Sequence, residues 1–250
     1  MRMTQIKSII FSVAISFGAS LPTNANVFAP DNRVMLEKSA FNSKPFSMIV
    51  KIGNCTGGLV GPNLVLTAYH CINKSYKNGE ITKRIKVKAE AFGLFGSMDK
   101  TTVKKVITGG ESGRAGDWAV LVLKDNLGSK YGYFRINDHV NTKYQDINLA
   151  GYSADLSNFQ LSFHQNCAIT KIYGDTFLHN CDSTGGASGS PLWRKNAQGD
   201  YEIVGLHFGG RRASDDETQR SRLIVNSYSD TYANVASRPL NFLNAVIEEL

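Results

Sequence analysis

Short apolar or alternating runs, separated by clusters of Gly, Asn, Asp and Ser, make up most of the chain. Turn signals such as Gly61-Pro62-Asn63 and Asn78-Gly79 stand between neighbouring runs. Many short strands joined by frequent turns predict an all-β protein, built as a sandwich or a barrel. The predicted strands are Phe46–Ile52, Gly58–Val60, Leu64–Thr67, Arg84–Phe92, Thr102–Ile107, Ala119–Leu123, Asp146–Tyr152, Phe159–Phe163, Ala168–Tyr173, Gly189–Trp193 and Tyr201–Phe208.

Helical periodicity is convincing only at the end of the chain. An apolar stripe there predicts a C-terminal helix that packs against the β-structure. The stripe consists of Leu240, Phe242, Leu243, Val246, Ile247 and Leu250. The length of 250 residues allows one large domain or two small ones. The polar stretch Lys124–Tyr133 is the predicted connection between two β halves.

The first 25 residues have the features of a secretory signal peptide. Arg2 and Lys7 form a basic lead, an apolar run follows, and Thr23 and Ala25 are small residues placed for a cut after Ala25. The run is too short to span a bilayer, so we expect a secreted or periplasmic protein with no membrane insertion after the signal is removed.

Charge does not indicate a nucleic-acid partner. Removing residues 1–25 takes away two basic residues and no acidic ones, so the formal charge falls from +7 to +5. The densest basic stretch alternates with apolar residues and predicts one solvated strand face. Its cations are Lys83, Arg84, Lys86 and Lys88.

Four cysteines in an exported chain indicate two disulfides, for which three pairings are possible. Cys55 and Cys71 lie 16 residues apart, and Cys167 and Cys181 lie 14 apart. Pairing nearest neighbours would close two short loops, each worth about 3 kcal/mol in the chain-entropy model. No C-x-x-C or clustered Cys/His spacing supports a metal site, so we expect structural bridges and no metal.

Three segments carry residues suited to nucleophilic catalysis. Leu66–Cys71 ends a predicted strand on His70, Gly116–Leu121 begins one with Asp117, and Thr184–Pro191 places Ser188 in a glycine-rich turn. A serine hydroxyl needs a histidine base, and the histidine needs a buried carboxylate to orient it. Glycines allow backbone N–H groups to converge on a developing oxyanion.

The order of the three residues along the chain discriminates between folds. An α/β-hydrolase requires serine, acid and then histidine, with a G-x-S-x-G turn, but Ser190 stands where the last glycine would be. The subtilisin order begins with the aspartate. His70, Asp117 and Ser188 follow the order of double β-barrel proteases, which agrees with the predicted strands.

The sequence resembles the chymotrypsin-fold serine endopeptidases over roughly residues 27–250. Cys55–Val60 with Leu66–Cys71 is similar to that family's histidine block, Gly116–Ala119 to its aspartate block, and Gly186–Pro191 to its serine block. The closer match is the bacterial branch that includes the staphylococcal glutamyl endopeptidase. Two further segments support that branch, namely Val27–Arg33 and Gly205-Leu206-His207-Phe208-Gly209-Gly210.

The resemblance implies two six-stranded antiparallel β-barrels with the active site in the cleft between them. Residues 26–130 would form the first barrel and carry His70 and Asp117. Residues 131–250 would form the second, carry Ser188 and end in the C-terminal helix.

The family's roles carry over to matching positions. Ser188 would be the nucleophile, His70 the base and Asp117 its orienting partner, while the N–H groups of Gly186 and Ser188 would form the oxyanion hole. Cys55–Cys71 would be the bridge of the histidine loop, and Cys167–Cys181 would tie down the strand that approaches the serine.

One departure concerns activation. Animal zymogens place an Asp immediately before the nucleophile, where it pairs with a newly cut amino terminus. Ala187 occupies that position and cannot form the ion pair. We therefore expect signal cleavage, with or without trimming to Val27, to give an active enzyme without a long propeptide.

Two features of the resemblance predict opposite substrates. Asp182 lies six residues before Ser188, where trypsin-like enzymes bind Arg or Lys. His207 and Ser183 match residues that bind glutamate in the glutamate-specific relatives, and Gly209 belongs to the same substrate-binding motif. A buried unpaired carboxylate favours a cation by several kcal/mol. We favour cleavage after Arg or Lys, with glutamate as the alternative if Asp182 caps a turn and faces away.

The expected function is hydrolysis of protein or peptide substrates by an exported, monomeric serine endopeptidase that needs no cofactor. A catalytically silent binding or adhesion module is one alternative, and an esterase on the same fold is another. His139, His164 and His179 are expected to have no catalytic role.

Overall fold

The computed structural model describes residues 25–92, 96–137, 144–156, 160–211, 224–225 and 227–250. Residues 1–24, which hold most of the predicted signal peptide, lie outside the described residues. The strands before residue 130 are β1 (Val27–Phe28), β2 (Val34–Met35), β3 (Ile49–Ile52), β4 (Cys55–Gly61), β5 (Leu64–Thr67), β6 (Tyr76–Lys77), β7 (Glu80–Ile81), β8 (Lys86–Ala89), β9 (Asp99–Thr108) and β10 (Ala119–Leu123).

The remaining elements continue the β-structure, with helices confined to short segments. The strands are β11 (Arg135–Ile136), β12 (Ile147–Tyr152), β13 (Leu161–Cys167), β14 (Ile169–Tyr173), β15 (Thr176–His179), β16 (Pro191–Lys195), β17 (Tyr201–Arg211), β18 (Ile224–Val225) and β19 (Ala233–Ser237). The α-helices are α1 (Leu127–Tyr131) and α2 (Leu243–Ile247). Short 3-10 helices cover Lys38–Asn42, Phe46–Met48, Tyr69–Cys71 and Pro239–Asn241.

The first half of the chain forms a closed antiparallel barrel of six strands in the order β10-β5-β4-β3-β8-β9. Every residue of β5 and β10 is buried, which explains their continuous apolar sequences. The barrel interior is filled by a cluster that includes Val50, Leu59, Val65, Val87 and Leu121. The predicted all-β fold is confirmed.

The second half forms a nine-stranded sheet rather than a closed ladder of six strands. Its main path runs β14-β15-β19-β17-β16-β12-β13-β2, with β11 added to β17. Strands β13 and β14 are separated in the chain by Ala168 alone. If β13 and β14 are counted as one interrupted strand, that strand joins the two ends of the path from β14 to β13, and the sheet curls back on itself. This leaves the six strands that were expected, to which β2 and β11 are added.

The two ends of the chain cross over to the opposite halves. β2 pairs with β13 of the second sheet, although residues 26–130 were expected to belong to the first barrel. At the other end, Glu249 forms an ion pair with Lys105 of β9, 2.5 Å apart. These crossings fasten the two halves to each other.

The C-terminal helix is shorter than its apolar stripe suggests. Phe242 and Val246 are buried, whereas Leu240, Ile247 and Leu250 are exposed. Only one side of this five-residue helix packs on the barrels. The predicted link Lys124–Tyr133 contains α1, whose Leu127 and Tyr131 are buried. Within the described residues, no helix is long and apolar enough to cross a membrane.

Candidate active site

His70 lies in the 3-10 helix Tyr69–Cys71, which follows β5 after Ala68. A disulfide joins Cys71 to Cys55 at the start of β4. The His70 side chain remains 25% exposed, so one face of the imidazole is open to a substrate. The buried strand and the bridge together hold the histidine at the surface of the first barrel.

Asp117 lies two residues before the start of β10, and its side chain is fully buried. Its Oδ2 lies 2.8 Å from His70 Nδ1 and 2.6 Å from the Gly113 N–H, while its Oδ1 accepts from the His70 N–H at 2.9 Å. Three hydrogen bonds satisfy the buried carboxylate. The imidazole is thereby oriented with Nδ1 toward Asp117 and Nε2 away from it.

Ser188 lies in the glycine-rich turn before β16 and is 8% exposed. Gly189 has φ +84°, and a Cβ there would lie 2.2 Å from the Thr56 carbonyl oxygen. Gly186 has φ +97°, and a Cβ there would lie 2.2 Å from the Tyr152 carbonyl oxygen. Both positions therefore require glycine, because a side chain would be strained and would collide with backbone.

The serine turn is fastened to the histidine block. The Ser188 carbonyl accepts from the Thr56 N–H at 2.9 Å, and the Gly186 carbonyl accepts from the Thr56 hydroxyl at 2.8 Å. Thr56 adjoins Cys55, whose disulfide partner Cys71 adjoins His70. The structure thus brings Ser188, His70 and Asp117 to one place, although they are far apart in sequence.

The N–H groups of Gly186 and Ser188 make no hydrogen bond to any acceptor in the described part of the chain. Their neighbours Ala187 and Gly189 donate to Thr184 and His207, respectively. Backbone donors that stay unused beside a serine hydroxyl are suited to stabilising an oxyanion.

The second disulfide joins Cys167 at the end of β13 to Cys181. With Cys55–Cys71, it completes the nearest-neighbour pairing, one of the three that the sequence allows. Cys55, His70 and Cys71 lie close enough together to suggest a metal site. The two sulfurs are already bonded to each other, so the group offers no thiolate ligand.

Asp182 is fully buried, and its carboxylate is occupied by backbone donors. Oδ1 accepts from the Phe28 N–H at 2.7 Å, and Oδ2 accepts from the Asn32 N–H at 2.9 Å. The Asp182 N–H donates to His164 Nδ1 at 2.7 Å. Burial raises the pKa of Asp182 and lowers the pKa of His164. The carboxylate fastens the N-terminal segment, which argues against a role in binding a cationic substrate.

His207 lies within β17 and is fully buried. Its Nε2 is 3.2 Å from Ser183 Oγ, and its Nδ1 is 3.1 Å from His179 Nε2. Burial lowers the pKa of His207 to about 3, with a smaller effect from the nearby His70. Burial also holds the pKa of His179 well below its usual range. Both imidazoles are therefore neutral at physiological pH.

The sequence did not indicate that His179 lies beside His207. It ends β15, and its Nδ1 has no hydrogen-bond partner in the described part of the chain. If its Nε2 carries the proton, that proton is donated to His207 Nδ1, and His207 then carries its own proton on Nε2. Gly209 lies two residues beyond His207 on the same strand.

Comparisons with known proteins agree with this geometry. The profile of the trypsin-like peptidase domain matches residues 55–206, which include His70, Asp117 and Ser188. The chain belongs to this family. Glutamyl endopeptidase of Bacillus licheniformis is 27% identical over 182 residues, covering 69% of this chain and 56% of that protein. The chain therefore matches little more than half of the relative's length.

A solved structure of a Glu endopeptidase in complex with MPD has the same fold as this trypsin-like peptidase domain. The two superpose with a TM-score of 0.67 at 20% sequence identity, covering 89% of this chain and 98% of that chain. The resemblance to chymotrypsin-fold endopeptidases of the glutamyl endopeptidase kind is confirmed.

Proposed function

We propose that this trypsin-like domain is an exported serine endopeptidase that cleaves peptide bonds after glutamate. The observation that carries the choice of glutamate is the contrast between Asp182 and His207. The Asp182 carboxylate accepts hydrogen bonds from two backbone N–H groups of the N-terminal segment. His207 and Ser183 instead form a polar pair without a charge, 3.2 Å apart.

In the proposed reaction, Ser188 Oγ attacks the scissile carbonyl carbon while His70 Nε2 takes its proton. Asp117, 2.8 Å from His70 Nδ1, stabilises the imidazolium that forms. The N–H groups of Gly186 and Ser188 hold the developing oxyanion. His70 then returns the proton to the leaving amine, and water activated by His70 hydrolyses the acyl-enzyme.

A glutamate side chain suits the His207–Ser183 pair for an electrostatic reason. An ionised carboxylate accepts hydrogen bonds from a neutral imidazole N–H and from a hydroxyl, and such charge-assisted bonds are stronger than neutral ones. A lysine or arginine side chain would find no unpaired carboxylate there, because Asp182 is already bonded. The relative named glutamyl endopeptidase adds support for this choice.

Export is part of the proposal. The signal-like segment 1–25, the two disulfides and the family membership all support it. Ala25 and Asn26 are both buried in the structure, so a cut between them has to precede the docking of Phe28 and Asn32 on Asp182. We propose that this cut yields an active enzyme without an ion pair at Ala187.

The test uses matched peptides that carry Glu, Gln or Lys before the scissile bond. We expect kcat/KM to be highest for Glu, and we expect Ser183→Ala to lower it by about tenfold or more for Glu only, because one bond to a charged group is worth about 1.5–3 kcal/mol. Ser162→Ala is the matched control, since it removes a buried hydroxyl bonded to Ser153 and Gly151. Equal losses for Glu and Gln in Ser183→Ala would contradict the role of Ser183.

A further inference from the structure

A hollow of about 500 Å³ adjoins the candidate active site. One wall is the loop around Gly113, whose N–H donates to Asp117 at 2.6 Å. A second wall is the β14–β15 hairpin with Tyr173, and a third is the end of β17 with Gly209. The segments that hold Asp117 and His207 thus continue directly into the hollow.

Two arginines give the hollow its charge. Arg114 is exposed on the loop wall, and the Arg211 guanidinium lies over the Tyr173 ring, 4.4 Å from its centroid. Among the described residues, no Asp or Glu lines the hollow and no carboxylate pairs with either arginine. Lys171 on β14, by contrast, is paired with Asp230 at 2.6 Å. Among the described residues that line the hollow, Arg114 and Arg211 are the charged ones, so its lining is positive.

The strand edge beside the hollow provides a place for a peptide. On the β16 side, the β17 edge is bonded as far as His207, whose N–H donates to Ser190 and whose carbonyl accepts from Gly189, whereas β17 continues to Arg211 with β19 on its other side. An extended peptide can add to such an edge through backbone hydrogen bonds, and antiparallel pairing is the commoner mode.

The direction of that peptide follows from the direction of β17. A peptide antiparallel to β17 with its cleaved residue near His207 places its earlier residues toward Gly209 and Arg211. At about 3.3 Å per residue, the side chains that reach the hollow belong to positions roughly two to four before the cut.

We propose that Arg114 and Arg211 select substrates with acidic side chains in the residues that precede the cleaved glutamate. This inference rests on the proposed function and specifies its substrate class, which is an acidic peptide segment ending in glutamate. The hollow contributes through charge, so its contribution weakens as salt screens the two guanidiniums.

The experiment compares peptides that share glutamate at the cleaved position and carry Asp, Ala or Lys at the two to four positions before it. We expect kcat/KM in the order Asp, Ala, Lys at low salt. We expect Arg114→Gln and Arg211→Gln each to lower the Asp value by up to about fivefold, as for exposed ion pairs, while leaving Ala unchanged.

Arg135→Gln is the matched control, because it removes the same charge from a distant place. Arg135 lies on β11 opposite Glu202 in the strand register, about 25 Å along β17 from Gly210. The inference predicts that this variant keeps the preference for Asp. The inference is overturned if all three variants show the same preference for Asp over Ala. It is also overturned if a preference for acidic residues appears only at positions after the cut.

A binding measurement distinguishes failure of this inference from failure of the proposed function. Ser188→Ala protein is titrated with the uncleaved Asp and Ala peptides, and binding is measured by calorimetry. Tighter binding of the Asp peptide that is lost when Arg114 and Arg211 are replaced supports the hollow even if no glutamyl bond is cut. Cleavage after glutamate with no Asp preference in either arm refutes the hollow and leaves the proposed function standing.

Discussion

Replacing Asp182 by Asn tests whether its carboxylate fastens the N-terminal segment or binds a substrate. In the structure the two oxygens accept from the N–H groups of Phe28 and Asn32 at 2.7 and 2.9 Å. Asparagine keeps one oxygen, and its amide group would face the other N–H donor. One hydrogen bond is then lost, and two donors oppose each other in a buried place.

The expected loss of stability is about 2 kcal/mol. A hydrogen bond to a charged acceptor contributes roughly 1.5–3 kcal/mol, and an unsatisfied buried donor adds a cost of about 1–3 kcal/mol. Burial raises the pKa of Asp182, so removing the charge recovers part of that loss. For a chain of this size, the midpoint of thermal unfolding falls by about 2–4 °C for each kcal/mol, which gives about 4–8 °C.

The assay is thermal unfolding at pH 7 with the disulfides intact, followed by kcat/KM for peptides with Glu or Lys at the cleaved position. Asp200→Asn is the control, because Asp200 is an exposed acid paired with Arg135 at 2.9 Å. A surface pair of this kind contributes at most about 1 kcal/mol. We expect the ratio of Glu to Lys cleavage to stay the same in Asp182→Asn.

One combined result would refute the reasoning. If Asp182→Asn unfolds at the temperature of the unmodified protein and also loses cleavage after Lys, then the carboxylate faces the substrate. The basic specificity expected from the position of Asp182 would then be correct.

Two further predictions concern the triad and the buried histidines. Asp117→Asn should lower kcat by about 10⁴, since an amide favours the wrong imidazole tautomer, and steady-state kinetics on the folded variant checks this. Burial depresses the pKa of both His179 and His207, so the stability that each contributes is present above about pH 6.5 and is lost as pH falls below it, for His207 down to its pKa of about 3. Denaturant unfolding should show up to about 1.4 kcal/mol lost per pH unit for each histidine, and His207→Gln should flatten that dependence. Equal stability at pH 7 and pH 4 would contradict it.

Local patterns were sufficient to predict most of the strands. β5 and β10 lie where the apolar runs Leu64–Thr67 and Ala119–Leu123 indicated, because strands buried on both faces have continuous apolar sequences. The observed strand boundaries differ from the predicted ones where the backbone turns. The run Phe46–Ile52, for example, divides into a 3-10 helix and β3.

The roles of buried polar residues could not be predicted from local sequence. The donors to Asp182 lie 150 and 154 residues away in the chain, so its spacing from Ser188 says nothing about its partners. His179 meets His207 because β15 and β17 both pair with β19. Sheet topology brings these residues together, and no periodic pattern records it. Ser188, His70 and Asp117, in contrast, stand in motifs that mark each of them separately.

The measurement that tests the central claim most directly is a map of cleavage sites. Protein from residue 26 onward and its Ser188→Ala variant are incubated with a mixed peptide library, and the cut positions are read by mass spectrometry. The account predicts cuts after glutamate that are absent with Ser188→Ala. Cuts after Lys or Arg would contradict the specificity, and no Ser188-dependent cutting by a folded, disulfide-bonded sample would contradict the peptidase itself.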